Sequence, residues 1–262
     1  MTLAGPDYLI LGFVFFFGSA IGSFLNVCIY RLPLDLSIAW PASYCPQCRT
    51  PIKSVDNFPI LGYLRLGGKC RSCKIPISKR YPIVEAITGL AAIGSVLWQG
   101  YTVEAGVYFV LFAILLPATL IDFEYQIIPN ELTYTGAGIG LVFSFFRSDF
   151  GWQESLTGIA VGAGSLLALR TLGTLMFKKE AMGLGDVKLM AVIGAFAGWK
   201  ATILSVFLGS IVGTFYSIPI LIQEARRHQK GTHVIPFGPF LALGGLLAAI
   251  FGETIWLLLW PV

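Results

Sequence analysis

Long apolar runs separated by short polar stretches dominate the chain. Eight of them, near 8–30, 83–99, 103–121, 131–146, 154–176, 187–198, 200–222 and 236–260, read as spanning helices against the ~20 residues needed to cross a bilayer. The sixth is short, and its turn into the seventh falls at Gly198-Trp199-Lys200. The first run exceeds the roughly 7–15 residues of a signal-peptide core, and Asp7 stands where a cleavable signal carries positive charge, so a retained helix is expected. The pattern predicts an all-α polytopic membrane protein: a first helix in 1–31, a soluble loop domain in 32–81 and a transmembrane core in 82–262.

Composition agrees, with 56% hydrophobic and 12% charged residues and a mean hydropathy of +0.77, against roughly 25% charged in soluble domains. The net charge of +4 says less than its placement. With the N-terminus outside, all but two of the 18 Lys and Arg residues fall on inside segments, Arg147 and Lys200 being the exceptions. Because basic residues bias loops to the cytoplasm, this predicts both termini outside and the loop 32–81 inside. A lipid bilayer is the expected partner, and nucleic acid is not.

Five Gly-x-x-x-Gly spacings lie in the apolar runs: Gly18/Gly22, Gly136/Gly140, Gly158/Gly162, Gly194/Gly198 and Gly209/Gly213. In lipid such small-residue pairs let helix backbones approach closely. They predict a compact bundle and carry no chemistry.

In the loop, Cys45-Pro-Gln-Cys48 and Cys70-Arg-Ser-Cys73 are each followed by a similar tail, Arg49-Thr50-Pro51-Ile52 and Lys74-Ile75-Pro76-Ile77. Two such knuckles fit a closed four-thiolate zinc site of structural type, holding together a loop whose apolar core is too small to fold reliably. Two disulfides or a redox pair are the alternative, disfavoured by a cytosolic placement. Cys28, alone in the first helix, reads as a small core residue.

Asp122 closes one apolar run and Asp186, in Gly183-Leu184-Gly185-Asp186, opens another. Ionisable groups at membrane depth are expensive, so both are candidate functional residues, placed by the charge bias at the cytoplasmic ends of their helices. Two carboxylates sharing a proton can hydrolyse a peptide bond, one as base toward water and one as acid toward the carbonyl or leaving amine. Asp186 lies at a helix start, where the dipole favours its anion, and Asp122 at a helix end, where it does not. Gly183 and Gly185, without side chains, would admit an extended substrate backbone beside Asp186. The plainer reading is that both aspartates cap helices, or that Asp186 pairs with Lys188. Glu124 reads as a solvated neighbour, and His228 and His233 as solvated residues of a basic loop.

The ordered set Gly22-Ser23-Phe24-Leu25-Asn26-Val27, Tyr30-Arg31-Leu32-Pro33, both Cys-x-x-Cys pairs, Arg80-Tyr81-Pro82-Ile83-Val84-Glu85, Asp122 with Ile128-Pro129-Asn130, Gly183 to Lys188, and Pro236-Phe237-Gly238-Pro239-Phe240 resembles the type IV prepilin peptidases. That resemblance implies a Gly-x-Gly-Asp membrane aspartic peptidase of the bacterial inner membrane in which Asp122 and Asp186 match the catalytic pair. It further implies prepilin or pseudopilin substrates of pili or type II secretion. These are cut after a glycine on the cytoplasmic side, and the new N-terminal amine is then methylated from S-adenosylmethionine.

Methyl transfer needs a neutral amine, whose unperturbed pKa is about 7.7–8.0. No Rossmann-type glycine fingerprint is visible, so the donor site is built differently. From the resemblance, the candidates are the family-matching Asn26 and Glu85, polar groups inside the runs that flank the loop, with Gly68 before the second knuckle. For Glu85 a salt bridge to Lys79 or Arg80 is the plainer alternative, and for Gly68 a turn into Cys70. Two other classes fit part of the pattern: a proton- or ion-coupled transporter using the paired aspartates, and a scaffold whose zinc loop binds partners. Against transport, no repeated half-sequence is visible.

Overall fold

A computed structural model describes residues 5–148, 150–180, 182–226 and 235–259, so His228 and His233 lie outside the described residues. Helices form throughout, and among the described residues no strand does; only isolated bridges join Tyr44 to Pro51 and Lys69 to Pro76. Two compact units divide the chain, Met1–Ala113 and Ile114–Val262, with the boundary inside α4, Val103–Tyr125.

In the first unit α1, Gly5–Arg31, packs on α3, Arg80–Gln99, with the polar loop and the short α2, Leu61–Arg65, between them in sequence. Glycine sets the approach. A Cβ on Gly18 would lie 2.7 Å from Ala92 Cβ, and one on Gly22 would lie 2.8 Å from Glu85 Cα.

The second unit contains the end of α4, α5 (Asn130–Ser144), α6 (Trp152–Phe177), α7 (Leu184–Arg226) and α8 (Gly238–Leu259). Although α7 is continuous in hydrogen bonding, Gly198 breaks it with φ 78° and ψ 178°, a backbone conformation open to glycine. The chain reverses there. Ser205 Oγ lies 3.7 Å from Met190 Sδ across 15 residues, which a straight helix would hold about 22 Å apart. Arg147 closes the first limb, 184–197, by donating to Phe196 O at 2.6 Å while its guanidinium lies 4.2 Å from the Phe150 ring centre. A cation on the last carbonyls of a helix is favoured by the dipole.

That first limb is the centre of the unit: Met190, Val192, Ile193 and Ala195 expose nothing. Gly136 and Gly140 of α5 meet Val192, Ala195 and Phe196, Gly158 of α6 meets Gly194, and Gly245 of α8 meets Ile193. All five Gly-x-x-x-Gly pairs thus have at least one member at a close packing contact between helices, and the Gly194/Gly198 pair also includes the reversal itself. Outward, Phe13, Leu175, Phe215 and Leu258 remain more than 70% exposed, as lipid-facing positions must be.

Among the described residues six helices are long and apolar enough to span, α7 with its two limbs being one of them, against about eight runs expected from the sequence. The difference has two causes. Runs 187–198 and 200–222 join in α7 across Gly198, and α5 has only 15 residues, short of the ~20 that a full crossing takes.

Gly194→Leu would drive a side chain into the Gly158 carbonyl. A loss of about 1–3 kcal/mol or more is expected in thermal or denaturant unfolding in detergent, whereas Gly12→Leu, with nothing within 4 Å, should melt like the parent.

Candidate active site and metal centre

The two knuckles repeat one local design. Cys45 N–H donates to Thr50 O at 3.0 Å and Arg49 N–H to Cys45 O at 2.8 Å, matched by Cys70 to Ile75 at 2.8 Å and Lys74 to Cys70 at 3.1 Å. Arg49 and Lys74 occupy the same left-handed position, φ 57° and 59°. These turns aim four free thiols at one point: all four Sγ atoms lie within 4.8 Å of one another, with Cys45 to Cys73 at 3.8 Å and Cys48 to Cys70 at 3.9 Å. Sulfur ligands about 2.3 Å from a tetrahedral ion lie about 3.8 Å apart, so the cluster fits a metal ion, and a disulfide would need about 2 Å.

Charge in the cluster is unevenly shared. Hydrogen bonding from Thr50, whose Oγ1 lies 3.3 Å from Cys48 Sγ, pulls the Cys48 thiol down to about 6. Cys73, although the Ile75 amide favours its thiolate, is pushed up to about 11 by desolvation and the three neighbouring thiols. Such crowding resists the last deprotonations until a cation supplies the opposing charge. Arg71, inside the second knuckle, adds a two-armed bond to Asp56 at 2.6 and 2.5 Å, which holds the Asp56 carboxyl below its usual range.

Asp122 and Asp186 come together in the second unit. Asp122 sits near the C-terminal end of α4, 6% exposed, and Asp186 in the first turn of α7. Asp186 lies near enough to Asp122 to feel its charge. Ile128 is the wedge at this point: a Cβ on Gly185 would lie 3.1 Å from its Cβ, and one on Gly238 would lie 3.0 Å from its Cδ1 and 2.5 Å from Asp122 Oδ2. Gly185 therefore lets the start of α7 close on Ile128. Gly183 is different, since its open side meets only Asp186 Oδ2, at 3.7 Å, and the Gly185 amide nitrogen, at 3.9 Å.

Gly238 is the site residue that reasoning along the chain does not single out. It begins α8, so the positive end of a 22-residue helix faces the Asp122 carboxylate. The Pro-Phe-Gly-Pro sequence was the available signal, a helix start with a residue small enough for close approach. Asp122 Oδ2 is buried without a partner of good hydrogen-bond geometry, while the Gly238 backbone amide lies against the carboxylate. Lys188 does not pair with Asp186: it donates to Asn130 Oδ1 at 2.6 Å and lies 5.2 Å from the Tyr134 ring centre, tying the start of α5 to α7.

The three remaining candidates lie in the first unit. Asn26, 1% exposed, donates through Nδ2 to Gly22 O at 3.3 Å and Tyr81 O at 3.1 Å, and its Oδ1 has no partner. A buried acceptor left open costs about 1–3 kcal/mol. Glu85 Oε2 accepts the Ile60 N–H at 2.7 Å, holding a residue at φ 60°, so its carboxylate serves the loop backbone. Gly68, at φ 68°, makes the turn before Cys70 and accepts Ile77 N–H at 2.7 Å.

Residues 16–99 match the model of the bacterial peptidase A24 N-terminal domain, and residues 109–218 that of the type IV leader peptidase family. The chain is 37% identical to a prepilin leader peptidase/N-methyltransferase of Pseudomonas aeruginosa, over 91% of this chain and 89% of that protein. It is 35% identical to the protein of the same description from Aeromonas hydrophila, over 96% and 94%, and 35% identical to a type 4 prepilin-like proteins leader peptide-processing enzyme of Escherichia coli, over 87% and 89%. No solved structure matches it. The apolar helices define a multi-pass membrane protein. The chain belongs to the type IV leader peptidase family.

The thiol cluster gives a direct test. Purified protein should carry or take up one tetrathiolate ion per chain, visible as a sulfur-to-metal charge-transfer band on cadmium exchange. The double variant Cys48→Ser, Cys73→Ser should show neither band nor stoichiometric metal.

Proposed function

We propose that this chain is a membrane aspartic endopeptidase that removes the leader of type IV prepilins or pseudopilins at the cytoplasmic face of a bacterial inner membrane and then N-methylates the exposed residue. What carries the reading is the pairing of Asp122 with Asp186 at helix ends inside a membrane-spanning unit, in a chain that belongs to a leader peptidase family. The protease and methyltransferase activities follow from the relatives that the chain resembles along nearly its whole length.

In this reading one aspartate takes a proton from water as the water oxygen bonds to the scissile carbonyl carbon. The other donates its proton to the carbonyl oxygen. Collapse of the tetrahedral centre breaks the C–N bond, and the leaving amine receives a proton from the pair. Asp122 Oδ2, without a partner of good hydrogen-bond geometry, has the free lone pairs this exchange requires. Ile128, Gly185 and Gly238 fix the two carboxylates, and Gly183 flanks the scissile segment in its extended form. A substrate helix with a basic cytoplasmic end presents its bond at the depth of these helix ends.

Zinc is the ion assigned to Cys45, Cys48, Cys70 and Cys73: four thiolates at tetrahedral spacing suit it and leave no open position for catalytic water, so its role is structural. S-adenosylmethionine, when bound, would supply the methyl group for the neutral N-terminal amine that cleavage exposes.

Asp122→Asn and Asp186→Asn should each abolish leader cleavage, read as an unshifted mass of a co-expressed prepilin, while the metal content stays at the parental level. Cleavage at the parental rate by either variant would overturn the assignment. Gly238→Ala should lower kcat/KM on the order of 10²-fold by pushing the Asp122 carboxylate aside, with a melting temperature close to the parent's.

A further inference from the structure

Between its two knuckles the loop descends beside the spanning helices. With 20 residues, α3 is about 30 Å long, which matches the hydrocarbon thickness, so Arg80 marks one edge of the bilayer. α1 runs antiparallel to it, with Gly22 against Glu85 and Gly18 against Gly89 and Ala92. Counted along this pair from Arg80, Phe16 lies about 16 Å below that edge, close to the mid-plane. Phe16 is a lipid-facing residue of α1, yet its ring stacks on Phe58 of the loop with centres 5.1 Å apart. Ile60 N–H donates to Glu85 Oε2 at 2.7 Å, a second tie below the same edge.

Lipid offers no water to a polar backbone, so irregular chain at this depth must satisfy itself. This segment does so. The amides of Gly62, Leu64, Leu66 and Gly68 donate to the carbonyls of Phe58, Ile60, Gly62 and Tyr63 at 2.7, 3.0, 3.1 and 3.0 Å. Pro59 has no N–H to satisfy. Ile60, held at φ 60°, finds its acceptor outside the loop, in Glu85. A Cβ on Gly62 would lie 2.1 Å from Asp56 O, so glycine there lets α2 close on the turn Ser54–Asp56.

What this folded segment turns outward is apolar. Val55, Phe58, Leu61 and Leu64 recur at every third residue and each remains between 47 and 64% exposed. Asp56, the one acidic residue between Lys53 and Lys69, is drawn inward, with its carboxylate held by the two arms of Arg71. Exposed Lys53, Arg65 and Lys69 flank the apolar row. Apolar side chains in the middle with cations at the ends suit acyl chains below and anionic headgroups above.

From these contacts we infer that residues 54–65 re-enter the bilayer, with Val55, Phe58, Leu61 and Leu64 among the acyl chains of the adjoining leaflet and Lys53, Arg65 and Lys69 at its headgroups. Lipid covers the exposed row. The loop between α1 and α3 is then anchored in the membrane along its length and not only at its two ends, and Glu85 is the residue that completes its backbone there. The inference needs α1 and α3 to span the bilayer and is independent of the peptidase and methyltransferase activities.

The full chain, in nanodiscs of phosphatidylethanolamine and phosphatidylglycerol, can be given a nitroxide through a genetically encoded keto amino acid, which leaves the cysteines untouched. With the label at Leu61 or Leu64, collisions with dissolved oxygen should exceed those with a water-soluble nickel chelate. At Gln47, exposed in the first knuckle, the order should reverse. Parental metal content and melting temperature identify each labelled protein as folded. Glu85→Ala should make the Leu61 label several-fold more accessible to nickel, whereas Glu85→Gln, which keeps an acceptor for Ile60 N–H, should hold the parental ratio. The double variant Leu61→Asp, Leu64→Asp should melt about 5 °C or more below the parent in nanodiscs, since it places carboxylates in hydrocarbon. On a water-exposed surface the same change is close to neutral. A lipid-soluble diazirine photolysed in discs of the unaltered chain should mark residues 55–64, a result that needs no variant.

Nickel access at Leu61 and Leu64 equal to that at Gln47 would overturn the inference, as would a parental melting temperature in the double variant, or diazirine label on α1 and α3 that spares 55–64. Protection that appears only when a prepilin or another protein is added would make the row a protein-docking surface and overturn it equally. A parental ratio in Glu85→Ala would remove Glu85 from the anchoring.

Discussion

Backbone-to-backbone contact between helices, possible only where side chains are missing, is the constraint on which the second unit depends. In lipid there is no water to exclude between helices, so association rests on close packing and on the few polar groups that find partners. The Gly158–Gly194 contact lets α6 lie directly on the first limb of α7, and the Ser205 hydroxyl bonds Leu241 O at 3.0 Å where Gly209 and Gly244 bring the second limb onto α8. These contacts decide where the N-terminal ends of α7 and α8 stop. Asp186 stands on one of those ends, and Asp122 faces the other.

The first unit solves a different problem. Its loop is too polar to fold around an apolar core, and its order comes from two repeated knuckles, the Arg71–Asp56 pair and the Glu85 bond to Ile60. Four sulfurs held at one point replace the buried volume that a small domain lacks. The same scaffolding leaves a hollow between loop and helices, because a surface fixed by a thiol cluster and hydrogen bonds need not be filled by side chains.

Much of this was legible along the chain. Apolar runs gave the helices, the reversal at Gly198 falls within the expected turn Gly198-Trp199-Lys200, and the thiol spacing pointed to one four-sulfur cluster. The aspartates stood out because carboxylates at helix ends in an apolar sequence are rare. What stayed hidden depended on contacts between residues distant in sequence. Nothing near Asp122 announces that Gly238 will lie against it, and nothing near Glu85 announces Ile60. Lys188, two residues from Asp186, invited an ion pair that the structure replaces with Asn130, far off in sequence but adjacent across α5 and α7. Membership of the leader peptidase family removes the support for a transporter.

The aromatic pair at the reversal has a bearing on depth. Trp199 and Trp256 meet edge to face at 5.5 Å with Lys200 Nζ about 6 Å from both rings, an assembly of the kind that settles at a bilayer boundary. From that anchor the limb 184–197 reaches only about 20 Å, against a hydrocarbon thickness of about 30 Å. Measured down this built-in plumb line, Asp186 hangs short of the far surface. In the function proposed above, the depth at which a substrate helix offers its bond is therefore a level beneath the headgroups.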